Sequence, residues 1–423
     1  MTVSASSSSL SSLPSYKWMV VGMLWCVCLL NYADRQSIFS VFPLIKEQLQ
    51  LSDVQLGVVA ASFMWMYAIF GPFAGWLSDR VPRHRLILAA LLFWSLITAL
   101  TAVTHSFGPL VLCRALGGLG EAFYFPAAMS LISAYHGPAM RSRAMSLHQS
   151  SVYAGSITGG AVSGFIGEHY GWRSSFLLFG AAGIVLGLLL WKLLLEPQQL
   201  APNPSPVDSR GGSRIFISFL EVLRNKMALL LIAVFIGANF VAVIFLTWLP
   251  TFLVRRFHMS LSVAGLSSTA FLQIASVVGV LCGGVLADAL VKRSRGGRLF
   301  TQAVGLLCGV PFLFLTGWTT SIYLLILGMI GFGFFKGFYD ANIFAGLYDV
   351  IPEERRGVAA GILNSMGWLG GGFASIVIAI ASARFGMSAC ISATAGIYFL
   401  LGLLLLWNAS RLMQTVETNE SAI

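Results

Sequence analysis

The chain has 423 residues, of which 57% are hydrophobic and only 10% charged, and its mean hydropathy is +0.82. Soluble domains carry about 25% charged residues, so this composition excludes that class. The net charge of +10 falls in alternate loops instead of on one face, which argues against nucleic acid as its partner.

In chain order, residues 1–15 (MTVSASSSSLSSLPS) form a polar, Ser-rich tract expected to be a disordered cytoplasmic N-terminus. Apolar runs of about 20 residues then recur to near the end of the chain, each long enough to cross a bilayer as a helix. They predict twelve spans: 17–39, 54–77, 85–104, 107–131, 143–166, 174–195, 228–252, 261–287, 299–317, 321–349, 357–383 and 388–409. No period-two alternation occurs, which argues against an outer-membrane barrel. The first run leads into Asp34-Arg35 and not into a small-residue cleavage site, so it is retained as a span. The expected class is an all-α membrane protein with twelve transmembrane helices in two six-helix bundles.

Basic residues cluster in every second loop, at Arg80, Arg83 and Arg85, at Arg141 and Arg143, from Arg210 to Lys226, from Lys292 to Arg298, and at Arg355 and Arg356. That asymmetry places both termini in the cytoplasm. Residues 197–227 open as a Pro/Ser/Gly linker and continue with Ile215, Phe216, Phe219, Leu220 and Leu223 on one face, an expected interfacial helix. The linker separates an N-terminal bundle (16–196) from a C-terminal bundle (228–410), with a cytoplasmic tail at 411–423. The halves repeat: Gly75-Trp76-Leu77-Ser78-Asp79 matches Gly284-Val285-Leu286-Ala287-Asp288, and Arg141-Ser142-Arg143 matches Arg355-Arg356-Gly357. Such a repeat predicts two bundles rocking around a midplane site.

Ionised side chains are costly inside a bilayer and persist mainly where they face an aqueous cavity. Four stand out: Asp34 and Arg35 in span one, Arg114 and Glu121 in span four. Arg114 and Glu121 are seven residues apart, two helical turns, and project from one face. Two carboxylates and two guanidiniums make a near-neutral set whose proton affinity changes as an arginine approaches or leaves. Asp34 and Glu121 are therefore proton-coupling candidates, and Arg35 and Arg114 candidates for an anionic substrate, since the planar guanidinium matches a carboxylate bidentately. The alternative is a static ion-pair network joining spans one and four. Lys336 lies one turn before Asp340 in span ten, as part of the binding site or as a self-satisfying salt bridge. Tyr32, Tyr67, Tyr124, Gln149, Asn239 and Asn364 add hydrogen-bonding capacity for a hydroxylated substrate, although any one of them alone is more often a helix–helix contact or packing group than a ligand. Asp79, Arg80, Arg83 and Asp288 form an expected conformational latch. The six cysteines show neither metal spacing nor a disulfide pattern.

Several stretches carry a family resemblance. GWLSDRVPRHR (75–85) resembles the signature loop of the major facilitator superfamily, with Pro82 where that family usually has Gly. NYADR (31–35), RALGGLGEAFYFPAA (114–128) and YGWRSSF (170–176) are similar to elements of the anion–cation symporter and bacterial spinster-like families. LSDVQLG (51–57) looks closer to the latter, and Phe123 stands where the organic-anion family usually has Pro. The resemblance implies cation coupling at the span-one Asp and span-four Glu. It also implies arginines that hold an anionic group or tune those carboxylates.

The implied function is secondary transport, with proton-coupled symport of an organic anion leading and a spinster-like lysophospholipid or sphingoid-lipid carrier as the alternative. No phosphate-binding loop, metal constellation or nucleophile elbow occurs, so neither enzyme activity nor a cofactor is expected. The expected setting is the cell inner membrane, as a multi-pass monomer whose partners are lipid, protons and a small-molecule or lipid substrate.

Overall fold

Inside a bilayer every backbone N–H and C=O must find its partner within the protein, so long apolar runs become helices. The computed structural model describes residues 15–78, 80–196, 219–294 and 296–420. The latch candidate Asp79 and the linker as far as Ile215 and Phe216 lie outside the described residues. The described residues contain helices and turns and no strand.

By contacts the chain divides into two compact units, Met1–Ser209 with Ser260–Leu266 and Arg210–Met259 with Ser267–Ile423. The first holds α1 (Tyr16–Ser40), α2 (Phe42–Leu49), α3 (Asp53–Ser78), α4 (Arg83–Thr101), α5 (Phe107–Ala122), α6 (Tyr124–Tyr135), α7 (Pro138–Tyr170) and α8 (Trp172–Leu193). The second is built on α9 (Lys226–Phe257), α10 (Leu261–Val291, from Ser267 onward), α11 (Gly297–Trp318), α12 (Ile322–Asp340), α13 (Ile343–Val350), α14 (Arg356–Phe385) and α15 (Met387–Glu420). A short helical stretch, 219–224, precedes α9, with Phe219 and Leu220 exposed and Glu221 paired to Arg355 at 2.7 Å.

Among the described residues eleven helices or broken helix pairs are long and apolar enough to cross a membrane. The fifth expected span, α7, has 33 residues. It is long enough but carries Ser142, Ser146, His148, Gln149, Ser150 and Ser151 in its first half.

The internal repeat is a repeat of packing. In the first unit α1 lies along α7 and α4 along α8; in the second α9 lies along α14 and α11 along α15. The crossings of α3 with α5 and of α10 with α12 are closest at glycine. A Cβ on Gly118 would sit 2.2 Å from the Phe63 carbonyl oxygen, and one on Gly333 would sit 2.4 Å from that of Leu272. Only a residue without a Cβ lets the backbones approach so far.

Spans four and ten are each broken. In span four, α5 ends at Ala122 and α6 starts at Tyr124, because Pro126 has no N–H to give the Ala122 carbonyl. In span ten, α12 ends at Asp340 and α13 starts at Ile343. There the Asn342 amide donates to the Phe338 carbonyl at 2.9 Å and the Gly283 carbonyl at 3.2 Å. Each break falls beside a carboxylate, Glu121 in the first unit and Asp340 in the second.

Candidate functional site

Successive residues on a helix diverge by about 100°, so Asp34 and Arg35 reach different neighbours of α1. Asp34 meets α4, where the Thr98 hydroxyl donates to its Oδ2 at 2.5 Å. Arg35 meets α5, donating from Nε (3.2 Å) and Nη2 (2.9 Å) to Glu121 Oε2. The Arg35 guanidinium also lies 4.7 Å from the ring centres of Tyr32 and Tyr67 and 5.0 Å from that of Phe63, a cation–π cage. The Arg114 guanidinium stands 4.6 Å from the Phe63 ring centre.

The four charges are 1–6% exposed, so they form one enclosed, formally neutral centre on α1 and α5. Its electrostatics are crossed: Asp34 feels Arg114 more strongly than its neighbour Arg35, whereas Glu121 feels Arg35 first. Several polar atoms of the centre have no hydrogen-bond partner among the described residues, namely Nε and Nη2 of Arg114, Oδ1 of Asp34, Oε1 of Glu121 and Nδ2 of Asn31. Buried polar atoms are normally satisfied, so this concentration is unusual. The structure thus gathers Asp34, Arg35, Arg114, Glu121, Tyr32 and Tyr67. It adds Thr98 and Phe63, which the sequence reading did not single out. A usable signal for Thr98 was present: Ser95, Thr98 and Thr101 share one face of an otherwise apolar span and are all buried.

Other candidates fall elsewhere. Tyr124 was expected at the substrate, but its hydroxyl donates to the Leu24 carbonyl at 2.6 Å and meets His148 Nε2 at 2.8 Å. It is enclosed in the apolar core beside Trp94, and its polar group is committed to packing. Gln149 is exposed on α7, and no described contact ties it to the four charges. Asn239 and Asn364 are half-buried in the second unit, Asn239 where α9 meets α14 at Gly367. Lys336 and Asp340 form an ion pair along α12.

The latch residues have partners other than those expected. Arg80 stacks on Trp76 at 4.2 Å and donates to the Trp76 carbonyl. Arg83 donates to the Ser130 hydroxyl at 2.7 Å and to Glu196 Oε1 at 3.2 Å, while the His84 N–H (3.1 Å) and ring Nδ1 (2.9 Å) meet Glu196 Oε2. Burial alone would raise the Glu196 carboxyl, but the His84 contacts and the Arg83 charge outweigh it and hold it below the usual carboxylate range. Asp288, also expected in the latch, is held loosely. Its side chain is 75% exposed and stands 3.9 Å from Arg298, which instead grips Asp349 with two contacts of 2.6 Å. Among the described residues no cluster of His, Cys, Asp or Glu could hold a metal ion.

The family model of the Major Facilitator Superfamily matches residues 24–334. The chain belongs to that superfamily. It is a multi-pass membrane transporter and not an enzyme. A probable galactarate/D-glucarate transporter of Bacillus subtilis is 28% identical over 383 residues, covering 84% of this chain and 83% of that one. A hexuronate transporter of the same organism is 27% identical, covering 82% and 84% respectively. Among solved structures, a bacterial homologue of the human lysosomal transporter Spinster superposes with a TM-score of 0.82, covering 95% of this chain and 98% of that one. At 22% identity that likeness concerns the fold.

Proposed function

We propose that this transporter carries an organic anion, a sugar acid or related carboxylate, in symport with protons by alternating access. The observation that carries the reading is the unequal state of the two arginines. The Nε/Nη2 edge of Arg35 is taken by Glu121, whereas the same edge of Arg114 has no acceptor. Those two N–H groups are parallel and suit a carboxylate side-on.

Charge balance supports the coupling. The four groups already sum to zero, so an anion entering alone leaves an enclosed negative charge, which is strongly disfavoured. Protons entering with it, one for each carboxylate it carries and taken up on Glu121 and Asp34, restore neutrality. Protonated Glu121 also loosens its hold on Arg35, freeing a second guanidinium edge. The relatives named for aldarates and hexuronates support the substrate class. The loop charges support an inner-membrane protein with both termini cytoplasmic. The lipid-carrier alternative draws on the LSDVQLG element and on a fold likeness, whereas the curated relatives of similar sequence are named for acids.

The test is uptake of radiolabelled D-glucarate and D-galacturonate into proteoliposomes under an inward proton gradient. The wild type should accumulate an acid, and a protonophore should abolish the accumulation. Glu121→Gln should lose uphill uptake but keep counterflow exchange. Uphill transport by that variant would end the coupling role of Glu121, and uptake of lysophospholipid in place of either acid would end the substrate class.

A further inference from the structure

Open donors and open acceptors coexist in the charged centre of the first unit. Nε and Nη2 of Arg114 have no acceptor among the described residues, while Oδ1 of Asp34 and Oε1 of Glu121 have no donor. Buried groups of this kind normally close on one another, because each unpaired one carries its full desolvation cost. Arg114 even shares a face of α5 with Glu121 and still does not engage it.

Among the described residues, the one aromatic or hydrogen-bonded neighbour of the Arg114 guanidinium is the ring of Phe63, its centre 4.6 Å away. Phe63 is 1% exposed and is fixed at both backbone and ring. Its carbonyl lies where α3 crosses α5, so near Gly118 that a Cβ there would stand 2.2 Å from the oxygen. Its ring lies along Gly117, 3.9 Å from where a Cβ would be, and stacks on Tyr67 with centres 6.3 Å apart. Gly117 and Gly118 follow Arg114 by one helical turn and share its face. The run Arg114-Ala115-Leu116-Gly117-Gly118 thus carries a cation and, one turn on, the bare backbone that seats a ring beside it.

A ring face attracts a cation through its quadrupole, most strongly where water is excluded, and it takes up no N–H group. A carboxylate in its place would hold Arg114 harder but would occupy the edge that an incoming anion needs. Arg35 illustrates that outcome. The same ring centre lies 5.0 Å from its guanidinium, yet its Nε/Nη2 edge is given to Glu121.

We infer that Phe63 is the positioning residue of the anion site: its ring holds Arg114 off the internal carboxylates and keeps the Nε/Nη2 edge for the substrate. The role rests on the organic-anion reading above, in which Arg114 takes the carboxylate. Weakening the ring face releases Arg114 to an internal carboxylate, which the substrate must then displace. Affinity falls while the protein becomes no less stable, because open donors and acceptors have found each other.

The experiment places phenylalanines bearing one, two and three ring fluorines at position 63, with unsubstituted phenylalanine introduced by the same route as the control. Fluorine drains the negative face of the ring with little change of shape. Uptake of D-glucarate and D-galacturonate is measured in proteoliposomes, and melting temperature in detergent. KM should climb with each fluorine, by about 2- to 30-fold at three, the worth of a cation–π contact. The accumulation ratio at saturating substrate should hold, and the melting temperature should be unchanged or higher. Phe63→Leu, which has no ring face, should raise KM at least as far. A flat KM across the series overturns the proposal: with accumulation intact Phe63 is packing alone, and with accumulation lost it acts on Arg35 and Glu121. A rise in KM matched by a falling melting temperature overturns it as well, since the whole site is then loosened. If the wild type takes up neither acid, the organic-anion reading falls and takes this role with it. If it takes up an acid and the series is flat, only the role of Phe63 falls.

Discussion

Spans four and ten occupy equivalent places in the two repeats and each breaks beside a carboxylate, yet the two carboxylates are held in opposite ways. Glu121 is 1% exposed and bonded across helices to Arg35 of α1. Asp340 keeps 29% of its side chain exposed and is bonded within its own helix to Lys336. A bond between helices restricts how they move past each other; a bond along one helix leaves the neighbours free. The same fold position thus ties two helices together in one unit and is paired within a single helix in the other.

The sharpest way to break this comparison is to remove the basic partner on each side. Arg35→Met strands Glu121 in an enclosed site and should lower stability by about 3–5 kcal/mol. Lys336→Met leaves a carboxylate that is only partly buried and should cost about 1 kcal/mol or less. Thermal or denaturant melts in detergent compare the two directly, and equal losses would erase the distinction. The glycine crossings supply the control. Gly118→Ala and Gly333→Ala each push a Cβ against a carbonyl oxygen, at 2.2 and 2.4 Å, and should destabilise alike by about 1–3 kcal/mol. If only one of them costs stability, the two units differ in backbone packing as well as in charge.

The smallest effect lies at the end of the first unit, where Glu196 is held by Arg83 and His84. Its carboxyl lies below the usual range in the folded protein, so the stabilisation is fully present above the unfolded value near 4.3 and lost as pH falls through the folded one. Glu196→Gln should cost about 1 kcal/mol at neutral pH, and the difference should shrink as pH falls below the usual carboxylate range and vanish once the folded carboxyl is protonated. Melting curves across pH test this. A gap that persists at low pH would assign Glu196 a role that does not depend on its charge.

Much of the fold was legible in the sequence because a bilayer makes length and hydropathy nearly decisive, and the repeated Gly-to-Asp and arginine loops exposed the two halves. The charged centre was legible for the same reason: Asp34, Arg35, Arg114 and Glu121 are conspicuous in lipid. Its wiring was not. Sequence spacing puts Arg114 and Glu121 on one face, but which arginine meets which carboxylate depends on how α1, α4 and α5 pack. Thr98 was missed because a lone threonine in an apolar run is ordinary, and Glu196 because a charge after the last turn of a span looks like loop. Tyr124 was misplaced because a tyrosine three residues past Glu121 looks like a cavity residue, until the break at Phe123 turns it toward α7.

The adjacency of Asp34 and Arg35 has a mechanical consequence. Because the two heads leave α1 in different directions, the helix behaves as an axle with two spokes, one tied to α4 and one to α5. A roll of roughly 20° would carry a group about 6 Å off the axis through roughly 2 Å, well beyond the tolerance of a hydrogen bond. Span one therefore cannot rotate to suit one spoke without disengaging the other, and whatever alters the carboxylate at Thr98 is delivered as torque to Glu121.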